Sequence, residues 1–206
     1  MKKYEFTGET KRVELWNRTA TLHRIKATVE FGFVKVGELG GWIEKEENLS
    51  HEGKAWVCGD AKVCGDAEVC GDAEVWGNAN VWGNAKVCGD AEVWGNAEVC
   101  GDAEVWGNAK VWGNAKVCGD AEVCGNAEVF LASHVLVMGS VGSRNDFTTF
   151  FRDKDNEITV KCGCFLGKID KFLEKVTQTH GNNKYALVYR AAVEVAKLQI
   201  ELTERK

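Results

Sequence analysis

From Ala55 to Asn126 the chain reads AWVCGD-AKVCGD-AEVCGD-AEVWGN-ANVWGN-AKVCGD-AEVWGN-AEVCGD-AEVWGN-AKVWGN-AKVCGD-AEVCGN, one hexapeptide twelve times over without insertion. Each unit is Ala, a mostly charged residue, Val, Cys or Trp, Gly, and Asp or Asn. A short fixed period is read before any local propensity, because it decides the architecture. Helix is excluded: six is not a helical period, and a glycine in every unit would cost ~1 kcal/mol each. Ala-x-Val-x alternates apolar and exposed, the pattern of a short strand with one buried face. Gly-Asp or Gly-Asn then supplies residues that accept positive φ at a tight corner. Each hexad is one flat side and one bend, with Val and Ala inward and Cys or Trp outward.

Stacking the sequence at 18 residues aligns Cys58, Trp76, Trp94, Trp112 and Phe130 in one outward column, whereas 12 scrambles Trp and Cys. The alignment favours three-sided coils; two-sided coils of 12 stay open as the competing geometry. The units resemble the hexapeptide repeats of left-handed parallel β-helix proteins, in which three sides close a triangular 18-residue coil. That resemblance implies the left hand, while the general preference for right-handed crossovers implies the opposite. Val135 and Val141 continue the spacing, so one β-helix is expected over Ala55–Val141, about five coils and ~24 Å long.

Solenoid ends expose unpaired backbone and need caps. TATLHRIKATVEFGFVKV reads as strands, Gly40-Gly41 as a turn and Trp42-Ile43 as apolar cover, and Val36–Leu49 should dock on the first coil or become it. After the repeat, Phe147–Arg152 and Glu157–Phe165 read as a hairpin. Ile169, Phe172, Leu173 and Val176 fall at helical spacing, with Gly181 a suitable C-cap. Asn182 or Asn183 caps a second helix running to about Glu204, apolar around so much of its circumference that it should contact two surfaces. The expected fold is mainly β: a left-handed parallel β-helix (55–143) between an N-terminal β cap (1–54) and a C-terminal ββαα module (144–206).

Composition narrows the function classes. The chain has 206 residues with 45% apolar and 28% charged, ordinary for a folded protein, and no proline. No apolar run approaches the ~18 residues of a membrane span, and the charged N-terminus lacks the apolar h-region of a secretory signal. The net charge of −5 argues against nucleic acid as a partner. It is concentrated in residues 55–126, with 4 basic and 12 acidic side chains. Nine cysteines without a disulfide-framework spacing read as reduced thiols in a cytoplasmic setting.

The N-terminal segment, the GGWIEKEENLS junction and the tail stretches TTFFRDKD, VKCGCFLG and THGNNKYA are together similar to phage- and prophage-encoded hexapeptide-repeat proteins. Those are often labelled polymer-forming or cytoskeletal on the repeat alone. The resemblance implies a mobile-element origin and a bacterial cytoplasm, and it implies no reaction.

Left-handed β-helix enzymes include acyltransferases, which place a catalytic His at a coil edge beneath long loops, and carbonic anhydrases, which converge three His on zinc. Here the hexads carry no insertion and no His; His51 and His134 border the rod at opposite ends, and His134 reads as an ordinary outward-facing residue. Cys70/Cys88 and Cys100/Cys118 would be neighbours on adjacent coils at disulfide-compatible separation, but with parallel Cβ vectors that suit a bond poorly. Cys162 and Cys164 share a strand face with Ile158 and Val160, which makes both core residues. No metal and no cofactor are expected. Twelve near-identical units offer no unique constellation for catalysis.

Two features invite binding. The outward column Trp76, Trp94, Trp112 and Phe130 is apolar surface of the kind that marks an interface, here between protomers of a dimer or trimer. The C-terminal module combines cations and aromatics, Arg144, Phe150, Arg152, Lys161, His180, Tyr185, Tyr189 and Arg190, a mixture enriched at binding surfaces. The leading expectation is a non-catalytic binding and assembly protein, a phage-type accessory that sequesters a host protein or a nucleotide-like signal as counter-defence. An acyltransferase-like enzyme and a filament-forming structural protein are the alternatives.

Overall fold

The computed structural model describes residues 2–15 and 18–202. Along the repeat, each hexad contributes one two-residue strand, from β4 (Trp56–Val57) to β16 (Glu128–Val129). These strands stack in parallel on three faces of a β-solenoid of about five turns, with orders β5-β8-β11-β14, β4-β7-β10-β13-β16 and β6-β9-β12-β15. Neighbours on a face lie 18 residues apart: Val57 is in register with Val75, and Val93 with Val111. The three-sided coil holds and the two-sided one does not.

The rod is closed by backbone hydrogen bonds running along its axis. Trp56 N–H donates to Ala73 O and Cys58 N–H to Val75 O, each at 2.9 Å. Every repeat Val and Ala is buried, so the interior is a dry stack of small and β-branched side chains. The corner glycines are sterically required: at Gly83 (φ 80°) a Cβ would stand 2.9 Å from the backbone N and O of Gly101 on the next coil.

The N-terminal segment becomes the first coil, as expected for Val36–Leu49. Strand β3 (Leu39–Ile43) pairs in parallel with β5 (Lys62–Val63), Ile43 against Val63, and Leu49 bridges Val69. Gly40-Gly41 is not a turn but the interior of β3. A Cβ on Gly40 would meet Ile25 at 2.5 Å and Trp56 at 2.7 Å, and one on Gly41 the Ala61 carbonyl at 2.8 Å, so these glycines are demanded by close packing. The sheet then continues outward as an antiparallel hairpin, β2 (Thr19–Ala27) beside β3 and β1 (Tyr4–Glu14) beside β2. Asn48 fixes the first corner from inside. Its side chain accepts from the backbone of Glu44 and Lys45 and donates to the carbonyls of Gly65 and Ala67.

At the other end the coil stops earlier than the valine spacing suggests. No Gly-Asn corner follows Phe130, a short 3-10 turn (Ala132–His134) intervenes, and Val135–Val141 is β17, the first strand of an antiparallel sheet. That sheet has the order β17-β18-β19-β20, with β18 Asp146–Arg152, β19 Ile158–Cys162 and β20 Phe165–Lys168. The hairpin read from the sequence is its centre; the outer two strands were not foreseen. Helix α1 (Ile169–His180) ends at Gly181, and α2 (Lys184–Gln199) begins at Asn183, whose side chain accepts from Tyr185 and Ala186 N–H. Adjacent residues of β18 face opposite ways. Phe151 joins the rod's core, while Phe150 joins a second core with Val160, Phe172, Tyr189 and Val193 under the helices.

Candidate functional site

The outward tryptophan column forms as a continuous stack. The rings of Trp76 and Trp94 lie 4.9 Å apart and 3° from parallel, those of Trp94 and Trp112 5.0 Å and 4°. Phe130 continues the column at 5.0 Å, and the Arg152 guanidinium lies over its ring at 4.9 Å. The 18-residue translation of Trp-Gly-Asn dictates this, and it lays Asn78, Asn96 and Asn114 alongside as a ladder joined at 3.4 Å per step. Each half-buried indole covers the face of the next, so the stack stabilises the rod and presents ring edges outward.

Of the eight residues expected to bind in the C-terminal module, three are packed away. Phe150 is fully buried between the sheet and the helices. Tyr189 is buried against the same helices, and burial pushes its hydroxyl pKa up. Arg152 is buried at the junction with the rod, donating to Glu128 O at 3.0 Å and to Asn156 Oδ1 at 3.0 Å. In this chain these three join sheet, helices and last coil. Lys161 is likewise engaged, with Glu122 at 2.6 Å and Gly163 O at 2.6 Å. Arg190 ties the helix junction together through Asn182 Oδ1 (3.1 Å), Gly181 O (3.1 Å) and Thr177 Oγ1 (3.3 Å). His180 lies 3.4 Å from Ser143 Oγ, with Tyr185 beside it at 5.9 Å between ring centres. Arg144 is exposed and reaches over Gly163 at the neighbouring hairpin tip.

The groups that could do chemistry are placed conservatively. His134 is fully buried rather than outward-facing: its Nδ1 accepts from Phe130 N–H at 3.4 Å, and burial lowers its pKa. His51 takes the matching position at the other end, stacked on Tyr4 at 4.4 Å with Nδ1 accepting from Lys3 N–H, and burial lowers its pKa too. Lys3 is buried against Phe31, its pKa brought down to about 8 by burial. The thiols of Cys64 and Cys124 are pushed up to about 11 by burial, which disfavours the thiolate a nucleophile needs.

Two expectations about cysteine are overturned. Cys70–Cys88 and Cys100–Cys118 are disulfides, with Cα atoms 4.7 Å and 4.6 Å apart, so four of the repeat thiols are not reduced. Coil stacking alone sets that separation, and it lies within the range a disulfide spans. Cys164 is exposed, because the chain turns at Gly163 (φ 55°) and breaks the strand alternation, while Cys162 packs on the helix core. Among the described residues no three His, Cys, Asp or Glu side chains are grouped to hold a metal, and no helix is long and apolar enough to cross a membrane.

Helix α2 leaves one face uncovered. Ala186, Ala192, Val193 and Ala196 pack on the sheet and α1, whereas Leu187, Val195, Leu198 and, just past the helix, Leu202 are exposed, Leu198 at 88%. A reading of apolar residues around the whole helix finds both faces; it could not say that the second is bare. A cleft of about 350 Å³ opens at the other end, between the Phe31–Val34 loop and the first coils. It was missed, although the first hexad differs from the rest in carrying Trp56 where the others carry a polar or charged residue.

Together the fold and these surfaces define a capped parallel β-solenoid with an attached α+β module. Comparison with protein-family models finds no match, and no curated protein matches the sequence.

Proposed function

We propose that this protein is a non-catalytic binding and assembly protein whose C-terminal module pairs with a second copy of the chain. The observation that carries the reading is the exposed apolar row Leu187, Val195 and Leu198 on the outer side of α2. A two-fold antiparallel pairing of α2 would set Leu187 against the second copy's Leu198. The edges of Trp76, Trp94, Trp112 and Phe130 offer a second assembly surface along the rod. A phage-type role inside a bacterial cell, holding a host protein or nucleotide-like signal, extends this proposal and rests on the resemblance of the sequence. An acyltransferase-like activity finds less support, since of the two histidines that border the rod His134 is fully buried and His51 is half-buried against Tyr4 with its Nδ1 accepting from Lys3 N–H.

Sedimentation of the wild type should give a dimer at micromolar concentration, and Leu198→Glu a folded monomer. Trp94→Glu tests the other surface: dissociation by this change alone would move the interface to the ladder. A wild type that sediments as a monomer would remove the reading altogether.

A further inference from the structure

We propose that the cleft beside the first coils is a binding site for an organic cation, an ammonium or guanidinium group on an apolar stem. The site lies at the end of the rod away from α2 and does not depend on how the chain assembles. Its walls are apolar: Phe31 and Phe33 from the overhanging loop, Trp56 behind them, and Cys58 at its edge. Phe33 is 79% exposed, a large apolar side chain that the described residues leave open. Phe31 and Trp56 meet edge to face at 5.4 Å, which presents aromatic surface to the opening.

The remaining wall is acidic. Asp72, Glu74, Asp90 and Glu92 line it together with Glu38 and one cation, Lys54, while Lys3 lies outside the lining against the ring of Phe31. Parallel register puts Glu92 directly beside Glu74, like charges on adjacent strands that repel. Lys54 is committed to Asp72, donating to both carboxylate oxygens at 2.9 and 3.0 Å, and Glu92 leans away to Lys110 at 3.2 Å. Glu74 and Asp90 have no ion-pair partner among the described residues. Burial and the neighbouring Glu92 push the Glu74 carboxyl pKa up, the response of a group short of a counter-ion.

In each of the two glutamate pairs on the rod one carboxylate takes a lysine, Glu92 with Lys110 and Glu122 with Lys161; at the cleft the carboxylate left over, Glu74, stands beside aromatic surface, in register with Trp56. Aromatic faces with flanking carboxylates favour a cation of low hydration and extended shape. They disfavour a bare metal ion, for which the described residues form no converging ligand set.

Calorimetric titration tests this with four probes: agmatine, an amidated and acetylated Gly-Arg-Gly peptide, its citrulline counterpart as the neutral isostere, and magnesium chloride. Agmatine or the arginine peptide should bind saturably and more weakly as salt rises, and the citrulline peptide and magnesium should not bind. Tighter binding of the peptide assigns the cation to a partner polypeptide; tighter binding of agmatine assigns it to a free amine. Glu74→Gln with Asp90→Asn should weaken binding about tenfold or more. Phe33→Ala, at an exposed position that folding does not use, should weaken it as well. Leu198→Glu should leave it unchanged, which separates this site from the assembly surface. The proposal falls if no cation binds, if the citrulline peptide binds equally, or if both cleft variants bind as the wild type does.

Discussion

Single residues close the ends of this rod, and three of them carry measurable consequences. Asn48 satisfies four backbone groups at the first corner, so Asn48→Ala leaves buried donors and acceptors unpaired. That variant should lose about 1–3 kcal/mol in denaturant unfolding. His51 and His134 are both held neutral, each with Nδ1 accepting a backbone N–H and a pKa lowered by burial. A lowered folded-state pKa means that the unfolded chain takes the proton first, so stability declines as pH falls through the ordinary imidazole value of about 6.5. Melting temperature should therefore drop between about pH 7.5 and pH 5, and His134→Gln should make the slope shallower. An unchanged slope would assign the acid sensitivity to other groups.

At the scale of elements, legibility followed periodicity. The hexads revealed their strands, their inward faces and the tryptophan stack, because a repeated translation of 18 residues leaves little freedom. The caps were legible only in part. β1 alternates few apolar residues with many charged ones and is a strand because β2 pairs with it. β17 carries valines at the coil's spacing but lacks the corner glycine that would turn it. The cations and aromatics of the C-terminal module were legible as a cluster, but composition does not tell an interface between proteins from one within a protein. Two measurements bear on the elements that were found. Trp94→Ala removes two ring stacks and should cost about 1–3 kcal/mol beyond the lost burial. Cys88→Ser opens a crosslink spanning 18 residues and should cost about 3 kcal/mol, the figure for a loop of that size. A reducing agent should lower the melting temperature of the wild type and leave a variant without Cys70, Cys88, Cys100 and Cys118 where it is.

For the whole molecule, identical coils mean that length is adjustable while register is not. Deleting residues 97–114 removes one full turn, brings Trp94 onto Phe130 and leaves both caps seated on their own coils. The product should fold, ~4.8 Å shorter, and keep the first-coil cleft with all of its carboxylates. Deleting only residues 97–102 would turn one cap against the other by a third of a revolution and should give a protein that melts far lower or aggregates. Circular dichroism and gel filtration of the two deletions decide the matter. Equal stability of both would mean that the caps do not read the orientation of the coil beneath them.

The placement of β18 has a consequence for synthesis on the ribosome. Most pairings in the rod join residues 18 apart, so each turn has its partner soon after it emerges, and the solenoid can lengthen in step with translation. Its growing end is always an open set of strand edges, the kind of surface that recruits neighbouring chains. That edge is sealed only when β18 arrives, with Lys154 N–H on Asn126 O, Arg152 on Glu128 O and Phe151 filling the last layer. A nascent chain halted near residue 145 would carry a finished rod with an unsealed tip, competent to add to the tip of another. The polysome is thus where this protein is most exposed to self-association, and the closing strand acts as the terminator of a polymerisation that the repeat would otherwise permit.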